Sequence, residues 1–556
     1  MSMSALRRGR KAVVALTTAL AVTLVSCSAG EEGAGMGEQQ GTPPSTDFFG
    51  YQTNSRLVTT NAGTAFGAAT NAELLASRLY PAAFVPGPGG QLIPNSDLVT
   101  TQEITEPSPD APRKILYTIS DQARFSDGED VTCEDFLLAY KAGKMRELFG
   151  SQKPLANEIS NLQCAAGFKQ FVVTFNPGQG ERWRYLFGPG TVMPSHAIAQ
   201  KAGLTQEELV GALYAEDPYQ LQEVARLWRY GFSVTEFDPD LQLSYGPFVI
   251  DRVGPDGEVI LKANEDYFGD APALEQLVVW PRSADTQRLV EDGALQVLDS
   301  STANPTWYDR DSETNPFTLQ SQPGDLTDTL VLSGYGLFSQ QWARQAFAAC
   351  VDQGRLAQVS SEKSGTEVAP AYVHVLRHSD PLIPRLDPVT NPHKKTDMEL
   401  AGQLAGQTIR IGYLGPDERL AAMVQAIKES CEAAGVTVED VAAEHMSQIH
   451  LEIDPETGLP TIDAFLGPVD PMYEYGGPEA LIQNVSALRV AEEKLWEDLY
   501  DIPVSAQPRT FILDRSVENV VPYTGLSGIG WNMDRWNINE ELAGQVTATS
   551  EETSEQ

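Results

Sequence analysis

Serine, histidine and cysteine are the residue types here that could do chemistry, and their spacing tests each possibility. Ser195-His196 sets a nucleophile beside a base, but such catalysis needs a third group to orient the base, and the sequence names none. Gly525-Leu526-Ser527-Gly528-Ile529 approaches the G-x-S-x-G elbow and fails at its last position. His374 and His378 stand four apart, a spacing that on a helix could aim both rings at one metal ion. Pro370 just before and Pro381 just after favour a loop there. Glu444-His445 with His450 lacks the metalloprotease spacing. No Walker-type phosphate loop occurs, so any ATPase would be a separate chain. The expectation is a protein that is not an enzyme and uses no cofactor and no metal.

The whole chain agrees with a binding role. It has 556 residues, 39 Lys plus Arg against 76 Asp plus Glu, and a net charge of −37. That acid excess speaks against nucleic acid as a partner, because phosphates need cations. Hydrophobic residues at 42% allow a real core, and the length suits two to four domains or lobes.

The N-terminus reads as an address. Arg7, Arg8, Arg10 and Lys11 form a basic segment, followed by an apolar run over residues 12–25, too short to span a membrane. It ends in Leu24-Val25-Ser26-Cys27, which resembles a bacterial lipobox, whose cysteine receives a diacylglyceryl group. Cys27 is therefore the expected lipid attachment point, with residues 1–26 removed as signal peptide. That removal takes four cations and no acid, so the net charge falls from −37 to −41. Residues 27–47, rich in Gly, Glu, Gln, Ser and Pro, read as a flexible tether. Residues 541–556 read as a disordered acidic tail. Such a protein would sit on the extracytoplasmic face of the membrane, held by its lipid.

Elements that could position a site are mixed along the body. Residues 115–119 form a short β-type run, and Phe125-Ser126-Asp127-Gly128 reads as a turn. Thr132 and Asp135 form a capping box for a helix whose apolar face is Phe136, Leu137, Tyr140, Leu148 and Phe149, stopped by Gly150. Phe171, Val173 and Phe175 alternate, as do Val259, Leu261 and Ala263. Trp342, Ala346, Phe347 and Cys350 recur at helical spacing, and so do Leu481, Ile482, Val485, Leu488, Leu495 and Leu499. This mixture predicts an α/β body. Four cysteines remain after Cys27, namely Cys133, Cys164, Cys350 and Cys431. They allow three disulfide connectivities in an oxidising compartment and match no zinc motif.

Several segments, in order, resemble the extracytoplasmic solute-binding proteins of ABC importers, family 5, the oligopeptide, dipeptide and nickel group. They are Leu79-Tyr80-Pro81, then Tyr117-Thr118-Ile119 with Phe125-Ser126-Asp127-Gly128 and Val131-Thr132-Cys133-Glu134-Asp135-Phe136. Tyr245-Gly246-Pro247-Phe248 with Asn264-Glu265-Asp266-Tyr267-Phe268-Gly269 follow, then Ala343-Arg344-Gln345-Ala346-Phe347 to Asp352, and finally Asp501-Ile502-Pro503-Val504. The resemblance covers about residues 55–515. It implies a two-lobed clamshell of the periplasmic-binding-protein kind joined by hinge strands, lobe I at 48–283 plus 503–540 and lobe II at 284–502. Within those lobes, Cys133–Cys164 and Cys350–Cys431 are the favoured pairings. The Phe125–Asp135 and Arg344–Asp352 stretches are expected to build the lobes and not to touch ligand.

The resemblance also implies a site. Peptide binders of the family hold the ligand's α-ammonium with an Asp placed three residues before an Asp-Pro pair. Here Asp470-Pro471 supplies the pair, but Gly467 stands where that Asp would be. Asp463 or Asp470 would then take the role, or the ligand is not an ordinary peptide. The candidate aromatic walls of the cleft are Tyr245, Phe465, Tyr473, Tyr475 and Trp531. Two roles stay open. One is capture of a peptide or other small solute by a monomer that delivers it to ABC permease transmembrane subunits. The other is a lipoprotein of the same fold that has lost peptide binding and serves envelope glycolipid assembly.

Overall fold

The structure is a computed structural model and describes residues 49–539 apart from 88–90, 107–110, 311, 313–314, 455–456 and 477–483. The export segment, Cys27, the tether, Leu481, Ile482 and the tail at 541–556 lie outside the described residues.

Two long antiparallel strands, Phe317–Leu332 and Asp501–Asp514, form the middle of a ten-stranded mixed sheet. Beyond Asp501–Asp514 follow Val297–Ser300, Phe49–Gln52, Gln276–Trp280, Val259–Ala263 and Phe248–Val253. Beyond Phe317–Leu332 follow Ala464–Val469, Thr408–Gly412 and Thr437–Asp440. Phe49–Gln52 and Thr408–Gly412 each pair in parallel with both neighbours, so crossover connections must cover the sheet faces there.

The body has two main hydrophobic cores, one to each side of the long strands. The first gathers Tyr51, Phe125, Phe136, Phe171, Trp228 and Tyr245, and Phe511 and Leu513 from the strand that returns late in the sequence. The second gathers Phe347, Ile409, Ile427, Leu466 and Trp496 with Leu330, Leu332, Ile502 and Val504. Asp501–Asp514 thus begins in the second core and ends in the first, while Phe317–Leu332 begins in a third cluster with Ile260, Val278 and Trp280 and ends in the second core. At the change, Pro323 faces Pro508 and the register shifts before Thr327. Neither proline has an N–H to give the ladder, so the pairing is interrupted where the chain must bend. The molecule is a two-lobed α/β clamshell with these strands as its hinge.

The crossings do not fall at the boundaries expected from sequence. Leu289, Ala294, Leu295 and Leu298 pack on Ile260, Val278 and Trp280, so the chain stays with the first lobe past residue 284. Ile502 and Val504 still belong to the second core, so the return comes within Asp501–Asp514 and not at its start. Composition is continuous across both points, and only the pairing of the strands marks the hinge.

Local readings map onto real elements. Lys114–Ile119 belongs to a second, four-stranded antiparallel sheet, with Ile115, Tyr117 and Ile119 buried on one face. The helix Cys133–Lys144 lies in the same core, and its first turn is closed by the Thr132–Asp135 capping box, in which Thr132 N donates to Asp135 Oδ2 at 2.8 Å. Disulfides Cys133–Cys164 and Cys350–Cys431 are both present, each inside one lobe. Trp342 departs from its pattern. It opens the helix Gln341–Ala348 at 43% exposure, while Ala343, Ala346 and Phe347 carry the buried face. The helical spacing from Leu481 begins, among the described residues, at Val485, because Asn484 caps the helix Val485–Asp498.

Candidate functional site

A cavity of about 950 Å³ lies between the lobes, toward the upper end of the roughly 300–1,000 Å³ usual for small-molecule sites. Three layers of sequence wall it. The first lobe contributes Glu73, Phe84, Lys153, Arg184 and Tyr185. The hinge contributes Asp299, Gln507 and Arg509. The second lobe contributes Arg419, Phe465, Gly467, Asp470, Tyr473 and Glu474. Acidic and basic side chains on the wall are equal in number, seven each. In a chain with 76 acids against 39 bases, that balance separates the cleft from the generally acidic surface.

The sequence candidates divide. Phe465, Asp470 and Tyr473 line the cavity. Asp470 accepts from the N–H of Met472 at 3.0 Å and pairs with Arg377 at 3.0 Å, so it fixes the turn Pro471–Glu474 and already holds a cation. Asp463 is away from the wall. It is bound by Arg410 through Nε at 3.0 Å and Nη2 at 2.9 Å, one strand across the sheet. Tyr245 is fully buried in the first core, where its hydroxyl donates to Pro81 O at 2.9 Å. Tyr475 packs edge-on against His374, behind the wall. Trp531 donates to Val521 O at 2.9 Å and backs Tyr523, which does reach the cavity. An aromatic beside a turn is equally suited to packing and to lining, and only the lobe geometry distinguishes them.

Gly467 has a specific consequence. Residues two apart on a strand share a face, and a Cβ at 467 would lie 2.7 Å from Cε1 of Phe465. The Phe465 ring occupies the space that a side chain at 467 would take.

Residues that sequence reasoning did not single out complete the wall. Glu73 sits on the short helix Glu73–Ala76 and accepts from Ser527 Oγ at 3.0 Å. Lys153 precedes the turn Pro154–Glu158, its ammonium 5.8 Å from the centre of the Tyr473 ring. Glu474 closes the turn after Asp470. Burial drives the Glu73 carboxyl up and the Lys153 ammonium down, and drives Glu474 up to about 7, helped by Asp501 and opposed by Arg182. The only advance signal was proximity in sequence, since Glu474 stands between the two candidate tyrosines.

Contacts across the cleft hold the lobes together. Arg182 Nη1 donates to the carbonyls of Tyr473 at 2.5 Å and Glu474 at 2.6 Å. Arg282 pairs with Asp417 at 2.9 Å, Arg56 with Glu444 at 3.3 Å and Arg146 with Glu452 at 2.9 Å. Tyr185 and Tyr473 meet at 6.1 Å between ring centres.

The residues that could have signalled catalysis or metal lie elsewhere. Ser195 Oγ is buried, and His196 bonds Asp127 at 3.1 Å, while Ser195 N donates to Asp135. His374 is buried and bonded to Glu492 at 2.7 Å and to Asp501 O at 2.9 Å, so it does not share a site with His378. Among the described residues the one grouping of potential metal ligands is Cys133, Glu134 and Cys164. Its sulfurs are joined in a disulfide and its carboxylate accepts from Gly167 N at 3.0 Å.

The family model for bacterial extracellular solute-binding proteins, family 5, matches residues 99–446. An uncharacterized lipoprotein of Mycobacterium tuberculosis is 27% identical over 580 residues, covering 95% of this chain and 98% of that protein. The oligopeptide-binding protein OppA of the same species is 23% identical over 325 residues, 55% of this chain and 47% of that one. Among solved structures, the oligopeptide binding protein from Thermus thermophilus complexed with a pentapeptide superposes with a TM-score of 0.64 at 14% identity, covering 90% of this chain and 97% of that chain.

Proposed function

The chain belongs to the bacterial extracellular solute-binding proteins, family 5, and from that membership we propose that it captures a peptide or related small solute outside the cell and delivers it to an ABC permease. Its lobes close on the solute without altering it, and Cys27 carries the lipid that holds it at the membrane. The observation that carries this reading is the charge-balanced cavity of about 950 Å³ walled by both lobes and the hinge. A solute there touches surfaces that separate when the cleft opens, so binding and closure are one equilibrium. The M. tuberculosis lipoprotein that matches nearly the whole chain supports the anchor. The pentapeptide complex of the Thermus protein and the OppA relative support a peptide-sized guest.

Two measurements test it. Mass spectrometry of the protein under native conditions should find co-purified peptides, and calorimetry with di- to pentapeptides should return saturable binding. Cys27→Ala should move the protein from the membrane fraction to the medium. A protein that stays with the membrane would remove the anchor from the reading, and absence of any peptide binding would remove the solute.

One observation favours a second reading, a lipoprotein of envelope glycolipid assembly. The Phe465 ring fills the place above Gly467, so the carboxylate that peptide binders of this family use is absent from the wall. Co-purification of a glycolipid in place of peptides would establish that reading over the first.

A further inference from the structure

Behind the cleft wall, in the second lobe, one histidine is bonded at both ring nitrogens. The side chains of His374 and of Glu492 opposite it are fully buried. His374 Nδ1 lies 2.7 Å from Glu492 Oε1, and His374 Nε2 lies 2.9 Å from the carbonyl oxygen of Asp501. A carbonyl oxygen only accepts, so Nε2 carries a hydrogen. The Glu492 carboxylate already accepts the backbone N–H of His374 at 3.0 Å and that of Val375 at 3.2 Å. Two such donors stabilise the anion, so the proton between Oε1 and Nδ1 rests on Nδ1. Both ring nitrogens are then protonated, and the pair is a buried imidazolium facing a carboxylate.

The ring joins three elements. Glu492 sits in the helix Val485–Asp498, and Asp501 opens the return strand Asp501–Asp514, one of the two hinge strands. Tyr475 follows the cleft turn Pro471–Glu474 and meets the ring edge-on at 5.6 Å, while its hydroxyl faces the Asp501 carboxyl. Trp496 meets the ring edge-on at 5.2 Å, and His393 is stacked on that indole at 3.9 Å. The charged and titratable groups facing His374 are therefore Glu492 from the helix, Asp501 from the strand, Tyr475 from the turn with Glu474 beside it, and His393 from the segment Asn391–His393. The same turn is gripped from the first lobe, where Arg182 donates to the carbonyls of Tyr473 and Glu474.

We propose that His374 is a positioning residue whose imidazolium seats the cleft turn on the hinge strand, so that the wall is held where Arg182 can reach it only while the ring keeps both protons. A neutral ring has one N–H and cannot serve both Asp501 O and Glu492. If it keeps the carbonyl, Glu492 is left as a buried carboxylate without a counter-ion. If it keeps the carboxylate, the Asp501 carbonyl loses this donor. Either loss is costly away from water, and Tyr475 rests on the ring that must move. Burial by itself would lower the value of His374, but Glu492 and Asp501 outweigh it and raise the value above that of a free imidazole. The seat is therefore fully present below the ordinary histidine value and is lost as pH rises through the raised one. It belongs to the wall and not to the guest, so it is independent of which solute is captured.

The test uses the purified full-length protein. Nitrogen NMR of the histidine rings at pH 7.5 should show a ring protonated on both nitrogens that is absent from His374→Gln. Hydrogen exchange of the Met472–Gly476 amides, read by mass spectrometry and corrected for the intrinsic rate, reports on the turn. In the parent those amides should lose protection over the pH range in which the doubly protonated signal disappears. Glu492→Gln, which takes away the counter-ion, should quicken their exchange about tenfold already at pH 7.5. The double variant His374→Gln with Glu492→Gln removes both charges and leaves neither unpaired, so it should fold and show no such step with pH. If Glu492→Gln alone does not fold, the parent and the double variant decide the matter. A His374 ring protonated on one nitrogen only at pH 7.5 would overturn the charge assignment. Exchange at the turn that stays unchanged as the signal disappears, or the same step in the double variant, would overturn the positioning role.

Discussion

Removing the Arg182 guanidinium should open the cleft. Its Nη1 reaches from the first lobe to the carbonyls of Tyr473 and Glu474 at 2.5 and 2.6 Å, while its Nη2 is held by Glu158 of its own lobe at 2.6 Å. When the lobes part, the guanidinium and both carbonyls return to water. A hydrogen bond from a charged group contributes about 1.5–3 kcal/mol net, and two bonds from one nitrogen are not fully additive. About 2–4 kcal/mol then favours the closed form, which at 1.4 kcal/mol per factor of ten is roughly 30- to 700-fold in the closed-to-open ratio. Arg182→Ala should lose that factor. Glu158 still accepts the Gly180 N–H at 3.1 Å, so the lobe itself should fold as before. Where the open form predominates without solute, the apparent affinity falls by the same factor, since only the closed fraction is competent. Small-angle scattering of the unliganded protein should report a larger radius of gyration, and calorimetry a weaker Kd for any solute that the parent binds. An unchanged radius together with a Kd within twofold of the parent would show that these two bonds do not govern closure.

Further expectations follow from the same geometry. Closure should weaken as pH rises from about 4.5 to about 7, because burial against Asp501 and Asp470 favours the protonated Glu474 in the closed cleft, while Arg182 and Lys153 oppose this only in part. In the open cleft water restores its ordinary value, so scattering at pH 5 and pH 8 should differ in the parent and differ less in Glu474→Gln, where Glu73, whose value burial also raises, still contributes in the same direction. Gly467→Asp should cost about 1–3 kcal/mol by driving the Phe465 ring from its place. Combining it with Phe465→Ala should cost less than the sum of the two single changes, and strict additivity in chemical denaturation would contradict the contact. Replacing Cys350 and Cys431 by serine should destabilise by about 4–5 kcal/mol, more than the roughly 3.5 kcal/mol for Cys133 and Cys164, since the bridges span 81 and 31 residues. The reverse order of melting points would overturn that chain-entropy account.

The amino-acid sequence by itself determined what depends on neighbours along the chain. The Thr132–Asp135 capping box and the alternation of Phe171, Val173 and Phe175 are legible because hydrogen bonds three residues apart and side chains two apart are set by local backbone geometry. The ordered motifs likewise carried the family and the α/β clamshell, because they build its lobes. Only the tertiary structure decided which groups face the cleft. Asp463 and Asp470 look alike in sequence, yet the first is held by Arg410 of the neighbouring strand and does not line the cavity, while the second stays on the wall paired with Arg377. Tyr245 and Tyr473 are both aromatics beside turns, and one fills a core while the other meets Lys153 across the gap. Glu73, Lys153 and Glu474 share no motif. They come together because two long strands bend where Pro323 faces Pro508, and the strength of a charge interaction depends on distance and on excluded water, neither of which spacing along a chain can convey.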